Sequence, residues 1–224
     1  MTGETVQVRD TVMTTMTLIL SDNLHAVQAR IQAACAQCGR QPSDIQLLAV
    51  SKTFDADAVR QVVAAGQRHF GENYIQEAVD KIAALSRDAV QPPLVWHCIG
   101  PIQSNKTRLV AEHFDWVHTV DRLKVAQRLS DQRPAHLAPL QVCLQVNIDG
   151  GSTKSGVTPD EALALARAVA VLPRLTLRGI MTIPEPAPGF DAQVAVHRQT
   201  RALFERLRDA LALPQFDTLS LIHI

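Results

Sequence analysis

The sequence predicts an α/β fold of the (β/α)8 TIM-barrel type, and three observations carry that prediction. Short apolar runs alternate with helix-patterned segments at a spacing of roughly 20 to 35 residues, which is the signature of parallel strands joined by right-handed crossovers. Polar residues follow many different apolar runs, as they do where a barrel gathers its strand ends into one functional ring. No G-x-G-x-x-G follows the first run, which disfavours the dinucleotide-binding open sheet.

The elements follow in order. Residues 1 to 17, "MTGETVQVRDTVMTTMT", are rich in threonine and lack a helical period, so they read as a disordered extension, with Met16 as an alternative start. From Leu18 an amphipathic pattern begins. Leu24, Val27, Ile31 and Ala34 recur at three and four, and Gly39 closes the leading helix. Candidate strands come next at 45 to 51, 68 to 73, 94 to 100, 116 to 120, 140 to 148, 175 to 183 and 216 to 222. Between them the helical patterns run over 56 to 65, 74 to 85, 106 to 113, 122 to 131, 159 to 172 and 190 to 211. A closed barrel needs eight strands. Seven are found, so residues 18 to 224 are expected to form one barrel domain that lacks its last helix and strand.

Composition narrows the function. With 46% hydrophobic and 20% charged residues, the 224-residue chain can bury one substantial core. Lys plus Arg equals Asp plus Glu at 22 each, which argues against a nucleic-acid groove or a polybasic membrane contact. No apolar run approaches the ~20 residues of a membrane helix, and no secretory leader is recognisable, so the cytoplasm is the expected compartment. Cys35 and Cys38 form a C-x-x-C without a second pair of ligands, while Cys98 and Cys143 lie inside apolar runs. All four are read as reduced structural thiols, and no metal site is expected.

The stretch "LLAVSKTF" ends an apolar run on a lysine, Lys52. Either it is a solvated loop residue, or it is a partly desolvated amine backed by Leu47, Leu48 and Val50 and able to attack an aldehyde. Asn73 in "HFGENY" is a helix cap or an amide donor in the same mouth. His97 in "WHCIGP" is a core histidine or a site residue. Gln103, Ser104, Asn105 and Lys106 open a helix whose N-terminus suits an anion. "NIDGGSTKSGV" reads as a phosphate-wrapping loop or an ordinary turn. His113 and His118 lack a carboxylate arrangement that fits a metal and are read as structural.

Taken in order, "LLAVSKTF", "AGQRHFGENYIQEAVDKI", "WHCIGPIQSNKTRLVAEHFDWVHTVDRLKVAQRL", "QVNIDGGSTKSGV", "LPRLTLRGIMTIPEP" and "FDTLSL" resemble the YggS/PROSC family of pyridoxal-phosphate homeostasis proteins. The resemblance spans about residue 18 to 221 and implies a barrel like the N-terminal domain of alanine racemase. It implies pyridoxal 5'-phosphate (PLP) held as a Schiff base on Lys52, with Asn73 and His97 near the cofactor. It further implies a monomeric carrier without catalytic residues of its own, which buffers PLP or delivers it to PLP-dependent apoenzymes. In the family, "DTLSL" continues into a further loop, helix and strand, so "LIHI" departs from the pattern. The eighth strand, much of the phosphate cup and an arginine near the pyridine nitrogen are expected to be missing, with low solubility or weak cofactor binding as the consequence. Two other readings stay open: a PLP-dependent racemase or related Schiff-base enzyme, and a cofactor-free interaction protein.

Overall fold

The computed structural model describes the backbone of residues 4–88, 90–151 and 154–221, with side chains from residue 19 onward within those spans. Part of the N-terminal extension (Met1 to Gly3), Ser152 and Thr153 of the "GGSTKSG" loop, and the "IHI" end lie outside the described residues. Contacts divide the chain into two compact units. One comprises Met1–Gly71 and Asp80–Val95, the other Glu72–Val79 and Trp96–Ile224.

The first unit opens with helix α1, Glu4–Cys38. It begins well before Leu18, where the apolar period starts, because no proline or glycine between Glu4 and Leu18 interrupts the backbone ladder. Gly39 ends it as expected. Its left-handed φ of 69° turns the chain so that the Arg40 N–H reaches back to the Cys35 carbonyl at 3.0 Å. Strand β1, Ala49–Val50, then pairs in parallel with β2, His69–Glu72, with Ala49 opposite Phe70 and Val50 opposite Gly71.

β1 is shorter than its apolar run. The Gln67 side-chain amide donates to the Leu47 carbonyl at 2.9 Å and to the His69 carbonyl at 2.7 Å, replacing the ladder at the strand's start. Helix α2, Ala56–Ala64, is capped by Asp55, which accepts from the Ala58 N–H at 2.8 Å, and it buries Ala58, Val59 and Val63. The turn between β1 and α2 is tied twice at one atom. The Ser51 carbonyl accepts from the Phe54 N–H at 3.1 Å and from Lys81 Nζ at 2.7 Å. Lys81 sits near the end of helix α3, Ile75–Leu85, and is only 5% exposed. A lysine is buried to that degree only when its ammonium is hydrogen-bonded.

The second unit carries β3 (Val95–Cys98, from Trp96 onward), α4 (Thr107–His113), β4 (Trp116–Val120), α5 (Leu123–Gln132) and β5 (Leu140–Gln145). It continues through α6 (Ala162–Ala170), β6 (Leu175–Thr182), α7 (Phe190–Leu211) and β7 (Thr218–Leu221). Every strand pair in it is parallel, and β3 to β7 pair in chain order. Val142, Leu144 and Ile180 on the strands and Leu129, Ala166 and Leu207 on the helices are almost wholly buried. Each large aliphatic side chain so buried contributes about 1.5–3 kcal/mol. α5 is strongly amphipathic and α7 buries Thr200, Leu203, Phe204 and Leu207 at helical spacing.

All four cysteines are free thiols, and burial pushes both Cys98 and Cys143 up to about 12, as apolar packing groups. Among the described residues no helix is long and apolar enough to cross a membrane, and no group of three or more His, Cys, Asp or Glu is arranged to hold a metal.

Lys81→Met keeps the apolar stem and removes the ammonium from the Ser51 carbonyl. It is expected to lower the unfolding free energy by about 1–3 kcal/mol, read from urea denaturation.

Candidate functional site

Lys52 follows β1 directly and is exposed. The desolvation expected from its apolar neighbours is not realised: Leu47 and Leu48 are half-buried, and Val50 is 44% exposed. Among the described residues of this unit β1 pairs with β2 alone, so its neighbours are not covered from the other side. What the first unit gives Lys52 is a defined turn. The Ser51 N–H is bonded to the Gly71 carbonyl at 3.0 Å, Thr53 takes a left-handed φ of 67°, and its hydroxyl donates to the Lys52 carbonyl at 2.6 Å. With the Lys81 clamp on the Ser51 carbonyl, the backbone beside Lys52 is held while Lys52 itself stays exposed.

The cavity of about 640 Å³ in this unit lies at the beginnings of β1 and β2, among residues such as Gln28, Leu47, Gln67 and His69. Lys52 does not line it.

Asn73 and His97 belong to the second unit. Asn73 is half-buried just after β2, where the backbone approaches the end of β3 very closely. A Cβ on Gly100 would overlap the Asn73 backbone, so only glycine fits there. Two bonds fix the approach: the Ile99 N–H donates to the Glu72 carbonyl at 2.9 Å, and the Thr119 hydroxyl donates to the Gly100 carbonyl at 2.7 Å.

His97 is 4% exposed and stacks on Trp116 with ring centroids 5.4 Å apart. Its Nδ1 lies 2.9 Å from Nε2 of His118, whose own Nδ1 lies 2.7 Å from Ser220 Oγ. This His97–His118–Ser220 chain was not visible as a unit in the sequence, where His118 reads as structural. A signal did exist. Trp116 and His118 are two apart on one strand and therefore share a face, and His97 pairs with Trp116 in the β3/β4 register.

The remaining candidates resolve into structural contacts. Lys106 occupies the N-cap of α4 without a side-chain cap, and α4 runs only seven residues. In the loop after β5, Asn147 Nδ2 donates to the Gly151 carbonyl at 2.9 Å, and Lys154 pairs with Glu185 at 3.4 Å. Asn147 Oδ1 is buried and has no hydrogen-bond partner among the described residues.

Comparison with known proteins places this geometry. The family described as "Alanine racemase, N-terminal domain" matches residues 23–223, which defines the class of domain. The chain is 52% identical over 202 residues to a pyridoxal phosphate homeostasis protein of Vibrio cholerae, covering 90% of this chain and 85% of the relative. It is 56% identical over 192 residues to the protein of that name in Pseudomonas aeruginosa, covering 86% and 79%. The chain belongs to the pyridoxal phosphate homeostasis protein family. Among solved structures, PipY of Synechococcus elongatus with PLP bound matches with a TM-score of 0.68 at 35% identity, covering 85% of this chain and 86% of that one. Alanine racemase of Clostridium difficile, at 13% identity and a TM-score of 0.62 over 80% of this chain and 46% of that one, shares the fold. The expected alanine-racemase-like barrel class is thereby established.

Two predictions follow from the second unit. Burial pushes the pKa of His118 down to about 4 from its ordinary 6.5, so the folded chain keeps this ring neutral. Between those values the unfolded chain binds a proton that the folded chain does not. Stability is therefore full above about pH 6.5 and falls as the pH is lowered toward about 4. Urea midpoints across that window should fall less steeply in His118→Asn than in the parent chain. Gly100→Ala forces β3 away from Asn73 and is expected to cost about 1–3 kcal/mol, measured the same way.

Proposed function

We propose that this chain binds PLP in the cytoplasm and serves PLP homeostasis, holding the cofactor covalently through Lys52 and passing it to PLP-dependent apoenzymes. The observation that carries the reading is identity of 52% across 90% of the chain to a pyridoxal phosphate homeostasis protein. The PLP-bound PipY structure supports the same cofactor.

The residues present fit the group. Lys52 offers an accessible primary amine on a turn whose backbone is fixed by three hydrogen bonds at Ser51: one to its N–H partner and two at its carbonyl. In the second unit Asn73, His97 and the buried Asn147 Oδ1 provide polar groups of the kind that a ring hydroxyl, ring nitrogen and phosphate require. When bound, PLP supplies an aldehyde for condensation with a lysine amine. The chain's own part is to present that amine, to orient the ring with Asn73 and His97, and to release the cofactor intact. An exposed amine suits release, because water reaches the bond that must be broken.

The test is covalent capture. After incubation with PLP and reduction with borohydride, peptide mass spectrometry is expected to locate a pyridoxyl group on Lys52, and Lys52→Ala is expected to lose that adduct. No adduct, or one confined to another lysine in the parent chain, overturns the assignment.

A further inference from the structure

The cavity of about 640 Å³ at the beginnings of β1 and β2 lies within the first unit, and Lys52 does not line it. Small-molecule pockets run to roughly 300–1,000 Å³ and combine apolar walls with a few polar groups. This cavity has that make-up. Ile31, Ile45, Leu47 and Val95 supply apolar wall, while Gln28, Gln32 and Arg68 bring polar ends to it. Gln28, Ile31 and Gln32 stand three and four apart on α1 and so share one face of that helix. Neither glutamine side chain makes a hydrogen bond among the described residues.

Arg68 is the unusual member of the lining. It is half-buried, and its Nε is enclosed by protein without a hydrogen-bond acceptor. Nη1 is engaged: it donates to the Val63 carbonyl at 2.8 Å and to the Gln67 carbonyl at 2.9 Å. Both acceptors flank the turn from α2 to β2, where Gly66, at a left-handed φ of 100°, sends its own N–H to the Val63 carbonyl at 3.0 Å. Backbone thus fixes the guanidinium through one nitrogen. Its Nε/Nη2 edge makes no bond among the described residues. That edge is a fork of two parallel N–H donors, which matches two oxygens of a carboxylate or phosphate. No Asp or Glu among the described residues lines the cavity, and none pairs with Arg68. A guanidinium drawn out of water without an anion gives up hydration that nothing in the chain restores.

We propose that this cavity binds a small organic anion, with one carboxylate or phosphate on the Nε/Nη2 edge of Arg68 and an apolar body against Ile31, Ile45 and Val95. The Gln28 and Gln32 amides, which offer donors and acceptors, meet the polar atoms of that body. Because Nε is enclosed, its bond forms with a small local adjustment around the side chain. The site is separate from Lys52 and does not depend on the function proposed above.

Nitrogen-15 spectra of the full chain test this with three probes of similar shape at constant ionic strength: benzoate, phenyl phosphate and neutral benzamide. Two signals report on the cavity, the Arg68 Nε–H and the Gln32 side-chain amide. Both are expected to shift saturably with benzoate or phenyl phosphate, with a dissociation constant on the order of 1 mM, ordinary for so small a ligand. Benzamide should leave the Arg68 signal in place, and the tighter of the two anions identifies the headgroup. Arg68→Lys keeps the charge but loses the fork, and should raise the constant about tenfold, followed at Gln32. Gln28→Leu gives up no hydrogen bond within the chain, so it provides a folded variant even if Arg68→Lys unfolds. It should raise the constant severalfold, followed at Arg68. Lys52→Ala should bind benzoate as the parent chain does. The absence of a saturable shift with either anion overturns the proposal, as does an equal shift with benzamide or an unchanged constant in both cavity variants. A benzoate shift lost in Lys52→Ala would overturn the separateness of the site.

Discussion

The strand register of the second unit is the constraint from which its interior follows. Side chains alternate along a strand, and residues paired in register share a face. His97 is paired with Trp116, so the stack of their rings follows from the β3/β4 alignment, and the step of two from Trp116 puts His118 on the same face, where it meets Ser220 of β7. A slip of one residue in β4 would replace His118 by Val117 or Thr119 and leave His97 and Ser220 unconnected. Glycine secures the alignment where backbones crowd. A side chain at Gly179 would run into the Thr218 backbone across the β6/β7 pair, as one at Gly100 would run into Asn73.

The first unit solves a different problem, which is to hold a turn rigid while leaving its lysine accessible. One carbonyl, that of Ser51, takes a bond from the turn itself and another from a buried ammonium on α3. Lys81 thereby ties the residue just before Lys52 to α3.

Much of this was legible in the residues because its signals are local. β4 and α7 fall where their apolar periods start and stop, and Gly39 ends α1 as a left-handed residue must. The residues themselves singled out Lys52, Asn73 and His97 as candidates, and the family resemblance implied their place at the cofactor. What escaped depends on contacts distant in sequence. The shortening of β1 is due to Gln67, twenty residues on, and the burial of Lys81 is explained by a carbonyl thirty residues earlier. The partner of His118 at β7 is 102 residues away. Of the two readings of Lys52, the desolvated one is not met for the same reason: apolar neighbours in sequence imply burial only when another element covers them, and Val50 stays 44% exposed.

The central claim is that this chain holds PLP through Lys52. The most direct measurement is a titration of the purified full chain with PLP, followed by desalting and visible absorbance, beside Lys52→Glu, which replaces the amine by a group that cannot condense with an aldehyde. The account predicts a protein-bound band that saturates at one equivalent in the parent chain and is absent at that stoichiometry in the variant. A parent chain that retains no cofactor, or a variant that retains one equivalent with the same absorbance, would contradict it.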